Sequence, residues 1–394
     1  MKVALSDPHI IAESSFVNEP DVCRWGHYQF PVLGRLLDGR IAVTFNIKND
    51  DAHAYGKASL EPNRCVSEDR GVTWERVESD APVEGMLLPN GERLLVGVSD
   101  VAPVAYEIGC YTLPADKGTV IGSYGQEPYV FYRHDELPSD LQGVPTARIA
   151  EGASAWVRER ARLDDPGFLR YSMTGLFPVF WWGDIHQTKT GELLAVVYPG
   201  RIEGPSFQHA CCNCYRSFDM GHSWQLQGRI MYQPDRAADP LADKRDGIGE
   251  PTSLILPDGE ILVVLRTTDG NGDGPLYTTR SKNDGRDWSP PKVMRENGVL
   301  PHLLLLGNGV LVLSTGRPGA DLTFSVDGRG ETWSERYPLV PVEGPGNQDD
   351  SCGYTSMLAL DDNSFLVTYS WFKKPSDNGQ TRKAILVRRV QVTV

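Results

Sequence analysis

"SEDRGVTW" (residues 67–74) returns along the chain as "SFDMGHSW" (217–224), "SKNDGRDW" (281–288) and "SVDGRGETW" (325–333). Ser, Asp, Gly and Trp hold their places in the first two copies. Asn283 replaces the Asp in the third, and the fourth has one extra residue before Gly330. Each residue type in the pattern has a use in a turn. Ser and Asp side chains can satisfy turn backbone groups, Gly supplies a positive φ, and Trp packs between sheets. Repetition of this kind reads as scaffolding, and internal repeats decide the fold before anything else does.

Working back from each Trp, the same unit precedes it: an apolar strand, a Gly-containing turn and a second apolar strand. "YQFPVLGRLLDGRIAVTFN" (28–46) leads to Trp74, "GDIHQTKTGELLAVVYPGR" (183–201) to Trp224, "GEPTSLILPDGEILVVLR" (249–266) to Trp288, and "PHLLLLGNGVLVLSTGR" (301–317) to Trp333. "CGYTSMLALDDNSFLVTYS" (352–370) has no closing box and runs on to "AILVRRVQVTV" (384–394). The intervals between successive box tryptophans are 150, 64 and 45 residues, and the long one has room for a further unit. That unit starts at "MLLPNGERLLVGVS" (86–99) and carries an insertion over about residues 100–180, in which "ASAWVRERARL" (153–163) reads as a short helix. Period-2 strands with Gly/Asp turns at this spacing make short antiparallel sheets. Set radially, they predict an all-β fold, a six-bladed β-propeller of four-stranded antiparallel blades in one domain spanning 1–394. The N-terminal "KVALSDPHIIAES" is expected to pair with the last blade.

Composition narrows the function. A net charge of −13 argues against nucleic-acid binding, which needs a basic surface. No stretch has the length of an apolar membrane span, and the first 25 residues lack a basic segment followed by an apolar run, so the expected location is the cytoplasm. Seven cysteines without framework spacing fit a reducing compartment. "CCNC" (Cys211, Cys212, Cys214) lies in a strand, where neighbouring side chains point to opposite faces, so buried thiols are expected there and no metal.

The four boxes resemble the Asp-box (BNR repeat) of the sialidase (neuraminidase) superfamily, over nearly the whole chain outside the insertion. Such boxes mark a fold and leave the activity open. The resemblance implies three arginines for a substrate carboxylate, a Tyr nucleophile, a Glu that deprotonates it and an Asp acid/base. By motif, "GEPTSLILPDGEILVVLR" supplies Glu250 and Arg266, "STGRPG" supplies Arg317, "GYTSML" supplies Tyr354, and "NIKNDDAHAYG" supplies Asp51 or Asp50. The first arginine's motif here reads "QFP", which puts neutral Gln29 in its place. Two arginines and an amide clamp a carboxylate less well than three arginines.

The expected activity is therefore that of an exo-acting, sialidase-like glycoside hydrolase on an acidic or modified sugar, departing from a typical sialidase at Gln29. It needs no cofactor, and its partner is a carbohydrate, with no nucleic acid and no membrane involved. A second reading comes from His27, His186 and His302, which all stand near the starts of first strands. A His base with Tyr354 as acid and an arginine on a uronate carboxylate would make a polysaccharide lyase. Asp184 is a further candidate sugar contact. A third reading is a glycan-binding propeller without turnover. The insertion has two uses open to it, a cap over the pocket or a subunit contact in a homo-oligomer.

Overall fold

Turn chemistry sets the strands. The computed structural model describes residues 1–17, 25–50, 61–78, 83–96, 118–124, 127–139, 142–165, 167–173, 177–179, 182–200, 210–268, 274–343, 348–376 and 378–394. In five units the turn Gly (Gly39, Gly91, Gly191, Gly259, Gly309) has φ between 85° and 92°, and its N–H bonds back to the carbonyl three residues earlier. Only glycine adopts that backbone without strain, so each apolar run is folded into a hairpin with a fixed register. Asn363 takes the place of Gly in the last unit, its N–H held by Asp361 Oδ1 at 3.0 Å.

The chain is all-β, and among the described residues helical structure is limited to two short 3₁₀ turns, His134–Glu136 and Ala242–Lys244. The first sheet contains His27–Arg35, Ile41–Ile47, Arg64–Ser67 and Glu75–Val77. The second contains Met86–Leu87, Arg93–Val96, Val144–Ile149 and Val157–Asp164. Trp182–Gln187, Leu193–Gly200, Cys211–Ser217 and Ser223–Ile230 form the third; Gly247–Ile255, Ile261–Thr268, Leu276–Ser281 and Lys292–Arg295 form the fourth. The fifth has Val299–Leu305, Leu311–Gly316, Ala320–Ser325 and Tyr337–Val340. In the sixth, Thr355–Asp361, Ser364–Pro375 and Thr381–Thr393 are joined by the N-terminal strands Lys2–Leu5 and His9–Glu13. Both N-terminal strands pair with Thr381–Thr393, as the sequence led us to expect.

Within the stretch 100–180, Thr119–Tyr124, Glu127–Arg133, Leu169–Met173 and Phe177–Val179 make a separate four-stranded sheet. Two other strands of that stretch belong to the second sheet. The helix expected over 153–163 is one of them, the strand Val157–Asp164. Its charged run disguises a period of two, in which Ala161 and Leu163 are buried while Arg162 and Asp164 face solvent. This strand also pairs in parallel with Ser223–Ile230, joining the second sheet to the third.

The repeated boxes sit at the sheet margins and work as turns. In the first, Gly71 N–H bonds Ser67 Oγ at 2.7 Å and Thr73 N–H bonds Asp69 Oδ1 at 2.8 Å. Asn283 keeps the pattern in the third, accepting from Asp287 N–H at 3.0 Å. Each box also reaches the preceding sheet. A Cβ on Gly71 would lie 2.6 Å from Leu366, on Gly221 2.8 Å from Leu94, and on Gly285 2.4 Å from Cys214 Sγ. Trp74, Trp224, Trp288 and Trp333 join apolar clusters that contain residues of the preceding sheet. The core is therefore a series of clusters between neighbouring sheets. "CCNC" is a strand with all three thiols buried, and burial pushes Cys214 up to about 12.

First strands are tied by a repeated bond. The side chain seven residues before the turn accepts the backbone N–H of the next sheet's first strand. Asp184 takes Ser253 N–H (2.7 Å), Thr252 takes Leu303 N–H (3.1 Å), His302 takes Met357 N–H (3.2 Å), and Ser356 takes Leu33 N–H (3.1 Å). The corresponding residue of the first sheet is Val32, which has no acceptor and is 59% exposed. There the second sheet is held by backbone, with Glu84 N–H on Arg35 O at 2.7 Å and a bridge between Leu36 and Val83.

Leaving a buried donor unpaired costs about 1–3 kcal/mol. Thr252→Val should lower unfolding free energy by about that amount in urea denaturation. A midpoint equal to that of the unaltered protein would show that the tie carries no stability.

Candidate functional site

Three first strands start with the same irregularity. Phe30, Glu250 and Leu300 each precede a proline, each stand nine residues before the turn Gly, and each fall in a register shift of their hairpin. Their φ values are +53°, +42° and +33°, a region that L-residues rarely adopt and that costs of order 1–3 kcal/mol. Arg317, at the end of its sheet's second strand, has φ +55°. These strained positions meet at one place.

Glu250 is at the centre of it. Its Oε1 accepts the Tyr354 hydroxyl at 2.5 Å and Arg266 Nη1 at 2.7 Å, and its Oε2 accepts Leu300 N–H at 2.8 Å. Arg317 donates Nε to Cys352 O at 2.8 Å, and its guanidinium lies 5.3 Å from the Trp25 ring centre and 5.6 Å from that of Tyr354. The approach is close enough to need Gly353, where a Cβ would stand 2.7 Å from Arg317 Cγ. Phe30 covers another side of Tyr354, with ring centres 5.0 Å apart. Tyr198 packs on the glycine before Glu250, 2.8 Å from where a Gly249 Cβ would be.

The charges follow from these contacts. Burial alone would raise the Glu250 carboxyl, but Arg266, the Tyr354 hydrogen bond, Arg317 and the Leu300 N–H hold it below the usual carboxylate range. Burial and then the Glu250 charge push the Tyr354 phenol well above its ordinary value. Burial opposes the Arg266 charge, yet Glu250 more than compensates and raises it. At neutral pH the site therefore holds a carboxylate, a protonated phenol and two guanidiniums. Arg266 is neutralised by Glu250. Arg317, 6% exposed, has no carboxylate within ion-pair distance among the described residues.

The remaining sequence candidates lie elsewhere. Gln29 is fully buried, and its Oε1 accepts Gly26 N–H at 2.9 Å, so it does not open onto the Tyr354 pocket. The residue that does is Phe30. Asp50 reaches the cluster only through Trp25, its Oδ2 taking Trp25 Nε1–H at 3.2 Å, while Asp51 lies outside the described residues. His27 contacts Asn49 Oδ1 at 3.2 Å. His186 Nε2 meets Ser253 Oγ at 2.9 Å, and His302 accepts from Met357 N–H, so both join neighbouring sheets. Asp184 accepts from Thr252 Oγ1 (2.8 Å) as well as from Ser253 N–H. Burial lowers both histidines, against the pull of Asp184. Sequence reasoning missed Trp25, Phe30 and Tyr198. The signal for Phe30 was present, since the X-Pro pairs at 30–31, 250–251 and 300–301 share one spacing to the turn Gly.

No family model matches the chain, and no curated protein does. Solved structures do resemble it. A protein of unknown function from Dyadobacter fermentans is 16% identical with a TM-score of 0.62, covering 99% of both chains. The K499G mutant of NanB sialidase from Streptococcus pneumoniae is 12% identical with a TM-score of 0.51, covering 98% of this chain and 71% of that one. A Hadza microbial sialidase, Hz136, is 14% identical with a TM-score of 0.48, and the match spans 91% of this chain and 65% of the other. At such identities the likeness concerns architecture alone, and the architecture is sialidase-like.

His302 can accept from Met357 N–H only while neutral. Because its folded-state pKa is depressed, its contribution to stability is complete above the unfolded value of about 6.5 and is lost as pH falls below it. His302→Asn keeps an acceptor without the titration, so its unfolding free energy should fall less between pH 7 and 5 than that of the unaltered protein. Parallel pH profiles would remove His302 from the acid response.

Proposed function

We propose that this chain is a sialidase-like glycoside hydrolase that acts on an acidic or modified sugar, built on a closed six-bladed propeller. Support for closure comes from the contacts: each sheet touches the next, and the sixth touches the first through Ser356 and Leu33. The observation that carries the activity is the Tyr354–Glu250 hydrogen bond of 2.5 Å with Arg266 on the same carboxylate oxygen. A phenol is a poor nucleophile at neutral pH unless a carboxylate can take its proton, and sialidases use Tyr in this way.

In this reading, the Tyr354 oxygen attacks the anomeric carbon as the bond to the leaving oxygen breaks, and the phenol proton passes to Glu250. Asp50 or Asp51 protonates the leaving group. Water, giving its proton to the Asp carboxylate left by the first step, then cleaves the Tyr–sugar bond, and the proton held by Glu250 returns to the phenol. Arg266 keeps Glu250 ionised until that transfer. Arg317 supplies the surplus positive charge that favours an anionic group on the sugar. Phe30 presents an apolar face suited to sugar C–H surfaces.

The lyase reading needs a histidine beside Tyr354, but that hydroxyl is given to Glu250, and His186 and His302 are engaged between sheets. The test is a screen of aryl sialosides, uronides and neutral glycosides with the products identified. Release of a reducing sugar supports the hydrolase, and an unsaturated uronate would replace it with the lyase. Binding without turnover would leave a lectin. Tyr354→Phe should abolish turnover and keep ligand binding, and Glu250→Gln should lower kcat by about 10²–10⁴. Undiminished kcat in either variant would overturn that residue's role.

A further inference from the structure

Gln29 stands where the resemblance calls for an arginine, and its surroundings give it another use. Its side chain is fully buried, and its Nε2 is sealed from solvent without an acceptor among the described residues, so no substrate group reaches it as the site stands. Its Oε1 instead holds Gly26 N–H at 2.9 Å. Gly26 has φ +94°, and a Cβ there would lie 2.2 Å from Lys48 O and 2.5 Å from Asp50 N, so the two backbones pass with no room for a side chain. On the other side of Gly26, Trp25 and Asp50 make a reciprocal pair. Asp50 N–H donates to Trp25 O at 3.3 Å, and Trp25 Nε1–H donates to Asp50 Oδ2 at 3.2 Å.

The indole itself is fixed from several directions. Arg317 lies 5.3 Å from its ring centre, and Phe30 and Phe372 meet it edge-on with centres 6.1 and 6.2 Å away. Trp25 thus links the Arg317 guanidinium, beside Tyr354, to the Asp50 carboxylate that its N–H holds.

We propose that Trp25 and Gln29 are positioning residues that hold Asp50 as the acid/base of this site, Trp25 through its N–H and Gln29 by fixing the Trp25–Gly26 turn. The proposal rests on the hydrolase reading for the role of Asp50 and selects Asp50 over Asp51. An arginine could not serve in the place of Gln29. A guanidinium has no acceptor atom, so it could not bind the Gly26 N–H that Gln29 Oε1 holds.

A misplaced general acid affects poor leaving groups and spares good ones, which lets positioning be told from general damage. Trp25→Phe and Gln29→Met, each checked for an unchanged fold by circular dichroism, are compared with the unaltered protein on nitrophenyl, phenyl and methyl glycosides of the sugar that responds in the screen. We expect kcat on phenyl and methyl glycosides to fall about tenfold or more while kcat on the nitrophenyl glycoside stays within about twofold. The basic limb of the pH–rate profile should move as well. An equal loss across the series, or no loss, would overturn the proposal.

Failure of the hydrolase reading would show separately, as an unaltered protein that cleaves nothing in the screen. The juxtaposition is then read by carbon NMR of the Asp side-chain carboxyls, with Asp50 assigned through Asp50→Asn. Removing the indole donor should raise the Asp50 titration midpoint in Trp25→Phe, because that hydrogen bond favours the charged form. An unmoved midpoint would overturn the proposal without any substrate. Should Gln29→Met not fold, Trp25→Phe still decides.

Discussion

A single hydrogen bond, handed on from sheet to sheet, organises the molecule. One side chain on a first strand accepts the N–H of the next first strand, and Asp184, Thr252, His302 and Ser356 perform this at equivalent positions. The residue types differ widely because the position asks only for an acceptor at a given reach. Apolar clusters between sheets supply most of the burial, but they are not directional and would tolerate sliding. The bond fixes the height of each sheet against its neighbour. Glu250, Leu300 and Tyr354 come from three different sheets and must meet within hydrogen-bond distance, so their meeting depends on that alignment.

Three of the first strands bulge at a proline. Proline has no N–H to pair, and the residue before it turns to positive φ. The same backbone device delivers an aromatic ring at Phe30, a carboxylate at Glu250 and an N–H at Leu300, all directed to one place. Backbone geometry is repeated and the chemistry varies upon it. Arg317 adds a cation lying over two aromatic rings, an arrangement in which cation–π attraction offsets part of the cost of burial.

The repeats made the sheets legible in the sequence, since Gly turns and alternating apolar runs act locally. They also exposed Glu250, Arg266, Arg317 and Tyr354, which lie close to counted turns. Two errors have physical causes. The charged run around Arg158–Arg162 hid a strand whose buried side is only Ala161 and Leu163. Matching on "QFP" brought Gln29 to the site, whereas the spacing of nine residues to the turn Gly belongs to Phe30, and in a strand one residue changes the face. The use of His302 and His186 as ties was beyond reach, since their partners lie on other sheets, 55 and 67 residues away.

The Asn at position 283 separates one turn from the others. Asp69, Asp219 and Asp327 are held below the ordinary carboxylate range by turn hydroxyls and N–H groups, which outweigh the opposing effect of burial at each. Their support of the turns is complete above that range and fades as the medium becomes acidic enough to protonate them. The amide of Asn283 bonds the same kind of backbone donor and has nothing to titrate. At this one position the box of the sheet that carries Glu250 and Arg266 has no charge to lose, while the same position on the first, third and fifth sheets is a carboxylate that strong acid neutralises.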